Sequence, residues 1–233
     1  MLWVGQFGIA AGEAQEHSAR VGAFPDPRPG DDPIDLYLVV EPALPGSEEF
    51  CAELTEAIGS VFHQRKASLT GGLLRALKAA HEHLSDWNRK SLRDHRVAAG
   101  VSCLALRPRP EGGPAAYEGY LAQVAPASAV LYHGGAVLPL EPSLPDAMEP
   151  LGLHEEFWPD FRRLDLDEGD RLLLLSPELA RALPPPDLQA ALSLPAEDAL
   201  PALYRPARSI SDCAALLVAA QPPAPAEEPG TRN

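Results

Sequence analysis

A chain of 233 residues carrying a formal charge of -14 is long for one domain, short for two well-cored ones, and too acidic for general nucleic-acid binding. Its three cysteines, Cys51, Cys103 and Cys213, form no C-x-x-C pair and are too scattered for a disulfide framework, so they are expected as buried thiols. No run approaches the ~20 apolar residues of a membrane helix, and no basic segment precedes the apolar start Met1-Leu2-Trp3-Val4, so a cytoplasmic protein without membrane contact is expected.

In chain order, Trp3 to Ala11 reads as a first strand, and the turn-rich stretch Pro25 to Pro33 as a loop. Asp35 to Glu41 is a short apolar run of β-formers, the pattern of a buried strand. Two helices follow. Phe50, Leu54, Ile58 and Val61 mark the first, with Ser47 placed to cap it and Glu48 and Glu49 at its positive end. Leu69, Leu73, Leu77, Ala80, Leu84 and Trp87 form one stripe along the second.

The period then shortens. Val97 to Leu106, Tyr117 to Val124, Ala129 to Tyr132 and Ala136 to Leu140 read as strands, the last two joined at His133-Gly134-Gly135. Antiparallel neighbours of this kind imply a meander. Leu140 to Leu153 is an irregular crossing loop, and Trp158, beside Phe157 and Phe161, is expected as core. Arg171 to Leu175 is a buried strand after the turn Asp167-Glu168-Gly169-Asp170, and short helices around Pro184-Pro185-Pro186, with Asp187 as a cap, precede a helix over Ala196 to Tyr204 and a closing strand over Cys213 to Ala219. Residues 1–220 thus form one domain. The Pro/Ala/Glu-rich residues 221–233 have no means of burying a core and are expected as a disordered tail. Helices segregated from antiparallel strands give α+β rather than doubly wound α/β.

Charge is unevenly distributed. Residues 65–109 hold ten of the 19 Lys and Arg and only three acids, Glu82, Asp86 and Asp94. Arg65, Lys66, Arg75, Lys78, Arg89, Lys90, Arg93 and Arg96 form the candidate docking surface for an acidic or phosphorylated protein partner.

Several local patterns carry no chemistry. His81-Glu82-His83 lacks the four-residue spacing of a zinc-binding helix and reads as surface histidines. Asp165 to Asp170 has the composition of a calcium loop but Ser176 stands at its twelfth position, so it reads as a turn. Ser176 has no G-x-S-x-G frame, and no base is assignable to it.

The order of elements resembles the PPM family, the metal-dependent type 2C Ser/Thr phosphatases, over roughly residues 3–219. The resemblance rests on four frames. Leu36-Tyr37-Leu38-Val39-Val40 ends in Glu41-Pro42 where the family has D-G. Leu121-Ala122-Gln123-Val124 ends in Ala125-Pro126-Ala127-Ser128 where it has G-D-S-R, ahead of Ala129-Val130-Leu131-Tyr132-His133-Gly134-Gly135. Gly169-Asp170-Arg171-Leu172-Leu173-Leu174-Leu175-Ser176-Pro177-Glu178-Leu179 copies G-D-x-L-L-L-C-S-D-G-L except at the Asp-Gly. Ser211-Asp212-Cys213-Ala214 stands for D-N-x-T.

The resemblance implies a β-sandwich flanked by helix pairs, with two Mn²⁺ or Mg²⁺ ions held by acids between the sheets to activate water. The acids are what this sequence lacks. Pro126 and Pro177 replace two of them, Glu41 lengthens a third, and Asp212 alone remains in kind. The N-terminal R-x-x-N-E-D motif has its nearest copy in Gln15-Glu16-His17. The expectation is a pseudophosphatase with no catalytic residues and no metal, acting as a binding or regulatory module. The alternative is a degenerate but active Mn- or Mg-dependent phosphatase whose ligands are Glu16, Glu41, Glu178 and Asp212. A third possibility is a purely structural subunit.

Overall fold

The computed structural model describes residues 1–28, 32–64, 68–109 and 115–221. The tail expected from residue 221 onward lies, beyond Gln221 itself, outside the described residues. The strands are β1 (Leu2–Ala10), β2 (Glu13–Gln15), β3 (Val21–Phe24), β4 (Asp35–Pro42), β5 (Ala99–Pro108), β6 (Tyr117–Val124), β7 (Ser128–His133), β8 (Ala136–Leu140), β9 (Asp160–Leu166), β10 (Arg171–Leu175) and β11 (Cys213–Ala220). The helices are α1 (Glu48–His63), α2 (Leu69–Lys90), α3 (Pro177–Ala182), α4 (Pro185–Ser193) and α5 (Ala196–Ala207).

Two antiparallel sheets result, one ordered β2-β1-β11-β10-β7-β8 and the other β3-β4-β5-β6-β9. Period-two alternation distributes each strand between two apolar layers. On β4, Leu36, Leu38 and Val40 pack against α1 and α2, while Tyr37 and Val39 face the other sheet. On β10 and β11, Leu173, Leu175, Ala215 and Leu217 pack against α3 to α5, while Leu172, Leu174, Leu216 and Val218 face β4 to β6. Four layers, helix–sheet–sheet–helix, therefore enclose three apolar strata, giving the α+β sandwich expected from the sequence.

Several local readings need correction. The strands after α2 do not form a meander, because β6 and β7 belong to different sheets. Only Ala125-Pro126-Ala127 separates them; Pro126 has no N–H to offer a ladder, and the Ala125 N–H turns aside to the Ala147 carbonyl at 2.8 Å. β2, β3 and β9 lie in stretches not read as strands. Ser47 does not cap α1; its hydroxyl accepts from the Ala98 N–H at 3.0 Å. Asp187 lies in the first turn of α4, whose N-cap is Pro184. Trp158 is 58% exposed rather than core, although Phe157 and Phe161 do pack on the α1/α2 stratum.

His81 is buried, not on the surface. Its ring stacks on Phe157 with centroids 4.8 Å apart, and its Nδ1 accepts from the Gly152 N–H at 3.3 Å. Two turns further along α2, buried Asn88 donates to the Val97 and Gly152 carbonyls and accepts from the Val97 N–H, each at 2.8 Å. These two side chains pin the crossing loop to the helix. At the far end, the Met1 ammonium donates to the Gln221 carbonyl and the Gln221 N–H to the Met1 carbonyl, both at 2.7 Å.

Asn88→Ala leaves three buried backbone groups without partners and is expected to cost about 2–4 kcal/mol. Urea unfolding of the variant against the parent protein measures it.

Candidate functional site

The stratum between the sheets is apolar through its middle, and the end beside the β6–β7 crossing is polar. There the alternation that points Val39, Leu104, Leu121 and Leu174 inward also points Glu41, Ser102, Gln123 and Ser176 inward, and all four are buried. Ser102 lies opposite both Val39 and Gln123 in the ladder, and Gln123 donates to its hydroxyl at 3.3 Å. Gly100 faces the chain crossing: a Cβ there would lie 1.9 Å from the Pro126 carbonyl oxygen, so only glycine fits.

Glu41 is the centre of this end. Its Oε1 accepts from the Ser176 hydroxyl at 2.6 Å, and its Oε2 accepts from Arg20 Nη1 at 3.2 Å. The Ser176 oxygen in turn accepts from the Ala214 N–H at 2.7 Å. Ser176 therefore stands at the N-cap position of α3 without capping it, because its hydroxyl is committed inward. The structure thus supplies the carboxylate neighbour that no sequence frame assigned to Ser176, but Ser176 is completely buried and offers no nucleophile to a substrate.

Burial pushes the Glu41 carboxyl up to about 7, against the opposing pull of the Arg20 charge and of the Ser176 hydrogen bond. Burial likewise raises the thiols of Cys51, to about 12, and Cys213, to about 11; with Cys103 they are free and buried.

The other carboxylates proposed as ligands are not gathered here. Glu178 is half-exposed and pairs with Arg181 at 2.7 Å. Asp212 is exposed and accepts from the Ala11 N–H at 3.1 Å, bracing the β1–β2 turn. Glu16 is exposed in the turn after β2. Pro126 and Pro177 instead line an open apolar cleft of about 390 Å³ with Ala43, Ala125, Ser128 and Pro142. Two hard cations need several anionic oxygens each, and the one buried carboxylate at this end, Glu41, has both oxygens engaged. The residues present do not fit a dinuclear metal centre.

Among the described residues, the one set of three possible metal donors, His133, Asp167 and Asp170, lies within 4.8 Å at the opposite end of β10, roughly 20 Å from Ser176 at strand rise. It is a turn brace: buried Asp170 binds the Asp167 N–H and His133 Nδ1, each at 2.9 Å. That hydrogen bond, and then the Asp170 charge, raise the His133 pKa.

The docking candidates separate along α2. Arg65 and Lys66 lie outside the described residues. Arg75 donates to the Val61 and Phe62 carbonyls, closing the end of α1. Lys78 pairs with Glu82 at 3.8 Å. About 20 Å from Arg75 along the helix axis, Arg89 and Lys90 are exposed, and exposed Arg93 and Arg96 follow just past the helix end, with Trp87, 48% exposed, and Leu92, 76% exposed, in the same stretch. Arg89 also pairs with Asp86. Arg89 and Arg96 border a cleft of about 630 Å³ with His81, Ser85, Asn88 and His154.

Sequence reasoning missed Arg20, Ser102 and Gln123. The first has no periodic context. The other two were legible as polar residues at the inward phase of otherwise apolar strands.

No family model matches the sequence, and no curated protein does. Solved structures do. A Ser/Thr phosphatase of S. agalactiae superposes with a TM-score of 0.73 at 14% identity, over 95% of this chain and 100% of that one. Stp1, a Ser/Thr phosphatase of Staphylococcus aureus, gives 0.71 at 15%, over 95% and 96%. PppA of Pseudomonas aeruginosa, described as a key regulatory component of the T6SS, gives 0.69 at 16%, over 94% and 97%. The chain has the PPM-type, or type 2C, phosphatase fold.

Two outcomes are expected from the titrating groups. Because the folded pKa of Glu41 is raised, its stabilising contribution is complete below about 4.5 and is lost as pH rises through about 7; the drop is roughly 3 kcal/mol. Glu41→Gln should flatten the unfolding free energy over that window in denaturant titrations. For His133, also raised, NMR titration should give a midpoint above 6.5 that falls toward it in Asp170→Asn.

Proposed function

We propose that this chain is a PPM-fold protein without phosphatase activity that serves as a binding or regulatory module in Ser/Thr phosphorylation signalling. One observation carries this reading: the single buried carboxylate at the inter-sheet end is consumed by Arg20 and Ser176, while Pro126 and Pro177 stand where the type 2C frame calls for acids. Nothing there is left to hold ions that activate water, or to present a nucleophile. The regulatory description of PppA, a structural neighbour, is consistent with a signalling role for this fold.

The partner surface is the basic end of α2 and the residues that follow, Arg89, Lys90, Arg93 and Arg96. On a chain of net charge -14 this patch attracts what the rest of the surface repels, an acidic or phosphorylated protein segment such as a phosphoprotein or a Ser/Thr kinase presents. Trp87 and Leu92 beside it supply apolar area for the same contact. No helix among the described residues is long and apolar enough to cross a membrane.

Hydrolysis of p-nitrophenyl phosphate in millimolar Mn²⁺ should not exceed an EDTA control. Metal-dependent turnover lost in Glu41→Gln or Asp212→Asn would restore the reading of a degenerate phosphatase. Reversing Arg89, Lys90, Arg93 and Arg96 to Glu should weaken capture of acidic phosphopeptides at least tenfold, with little change in thermal stability. Unchanged capture would remove the basic patch from the interface.

A further inference from the structure

The inter-sheet end holds a cation of its own. The Arg20 backbone is fixed ahead of β3: its carbonyl accepts from the Val40 N–H at 2.9 Å, and its N–H reaches the Ser18 hydroxyl at 3.3 Å. Val40 precedes Glu41 on β4. The guanidinium therefore arrives beside the carboxylate from a neighbouring strand, with its side chain 15% exposed and that of Glu41 4% exposed. A guanidinium stays charged at every accessible pH and brings its own N–H donors. The other inward polar groups, Ser102, Gln123 and Ser176, are neutral. With Glu41 ionised, one positive charge thus meets one buried negative charge. A divalent ion would have to enter beside a fixed like charge and compete for oxygens already engaged.

We propose that Arg20 is the resident cation of this site, performing the charge neutralisation that a divalent ion performs in a metal-holding version of the fold, so that the inter-sheet end is complete without metal and closed to it. The idea deepens the non-catalytic reading but is separable from it. A chain that binds Mn²⁺ without turnover overturns the role of Arg20 and leaves that reading intact.

Removing Arg20 leaves Glu41 buried without a counter-charge, the situation in which a foreign cation gains most. The test is thermal unfolding at pH 8 of the parent protein, Arg20→Ala, Arg20→Lys and the double variant Arg20→Ala/Glu41→Gln. Each is measured in EDTA and in 5 mM MnCl₂, with Mn²⁺ electron paramagnetic resonance to count bound ion. The parent protein and Arg20→Lys should be indifferent to Mn²⁺ and leave its free-ion signal intact. Arg20→Ala should melt lower in EDTA and recover by roughly 3–6 °C in MnCl₂, the shift expected when ligand is about tenfold above Kd. The double variant should lose that recovery. Mn²⁺ bound by the parent protein and released in Glu41→Gln overturns the proposal, as does a folded Arg20→Ala that ignores metal. Should Arg20→Ala fail to fold, the parent protein and Arg20→Lys decide the matter by their Mn²⁺ signals.

Discussion

A sheet covered on both faces has no dry place for an unpaired charge. That constraint governs this molecule, because both sheets are covered twice, once by helices and once by each other. The facing leucines, among them Leu104, Leu121, Leu172, Leu174 and Leu216, are completely buried, and each contributes on the order of 1.5–3 kcal/mol by leaving water. A carboxylate inserted into that stratum costs several kcal/mol unless it is matched. Glu41 is therefore found where a strand reaches the end of the stratum, a guanidinium and a hydroxyl can be aimed at it, and the chain crosses between sheets.

What was legible in the sequence follows from the same physics. β4, β5, β10 and β11 stand out as apolar runs because both of their faces are dry. α1 and α2 stand out because each buries one stripe. β9 was not legible: at the sheet edge, with Arg162, Arg163 and Asp165 among its residues, it lacks the continuous apolar run of a central strand. Sheet membership was also hidden, since alternation reports that a strand is buried and says nothing of which sheet holds it; the proline between β6 and β7 was the cue that they part.

The site divides in the same manner. Glu41 could be located from its place at the end of an apolar strand within a recognisable frame. Arg20 could not, because the pair spans 21 positions and joins a strand end to an irregular segment. Its one visible signature was a lone charge immediately before the apolar run Val21–Phe24. The basic window reads as one face, yet Arg75 is used to finish a helix, while Lys78 and the residues near the end of α2 face outward. Net charge over a window locates positive residues and cannot separate those that fasten the chain from those that face outward.

The joined ends of the described chain have a consequence for how this domain can be carried. Residues 1 and 221 are hydrogen-bonded to one another on neighbouring strands, at the end of β11 opposite to Cys213 and hence far from Glu41 and Ser176. Any polypeptide attached at either point enters and leaves through a single doorway. Residues 1 and 221 thus share one end of their sheet, and the opposite, proline-lined end stands clear of both.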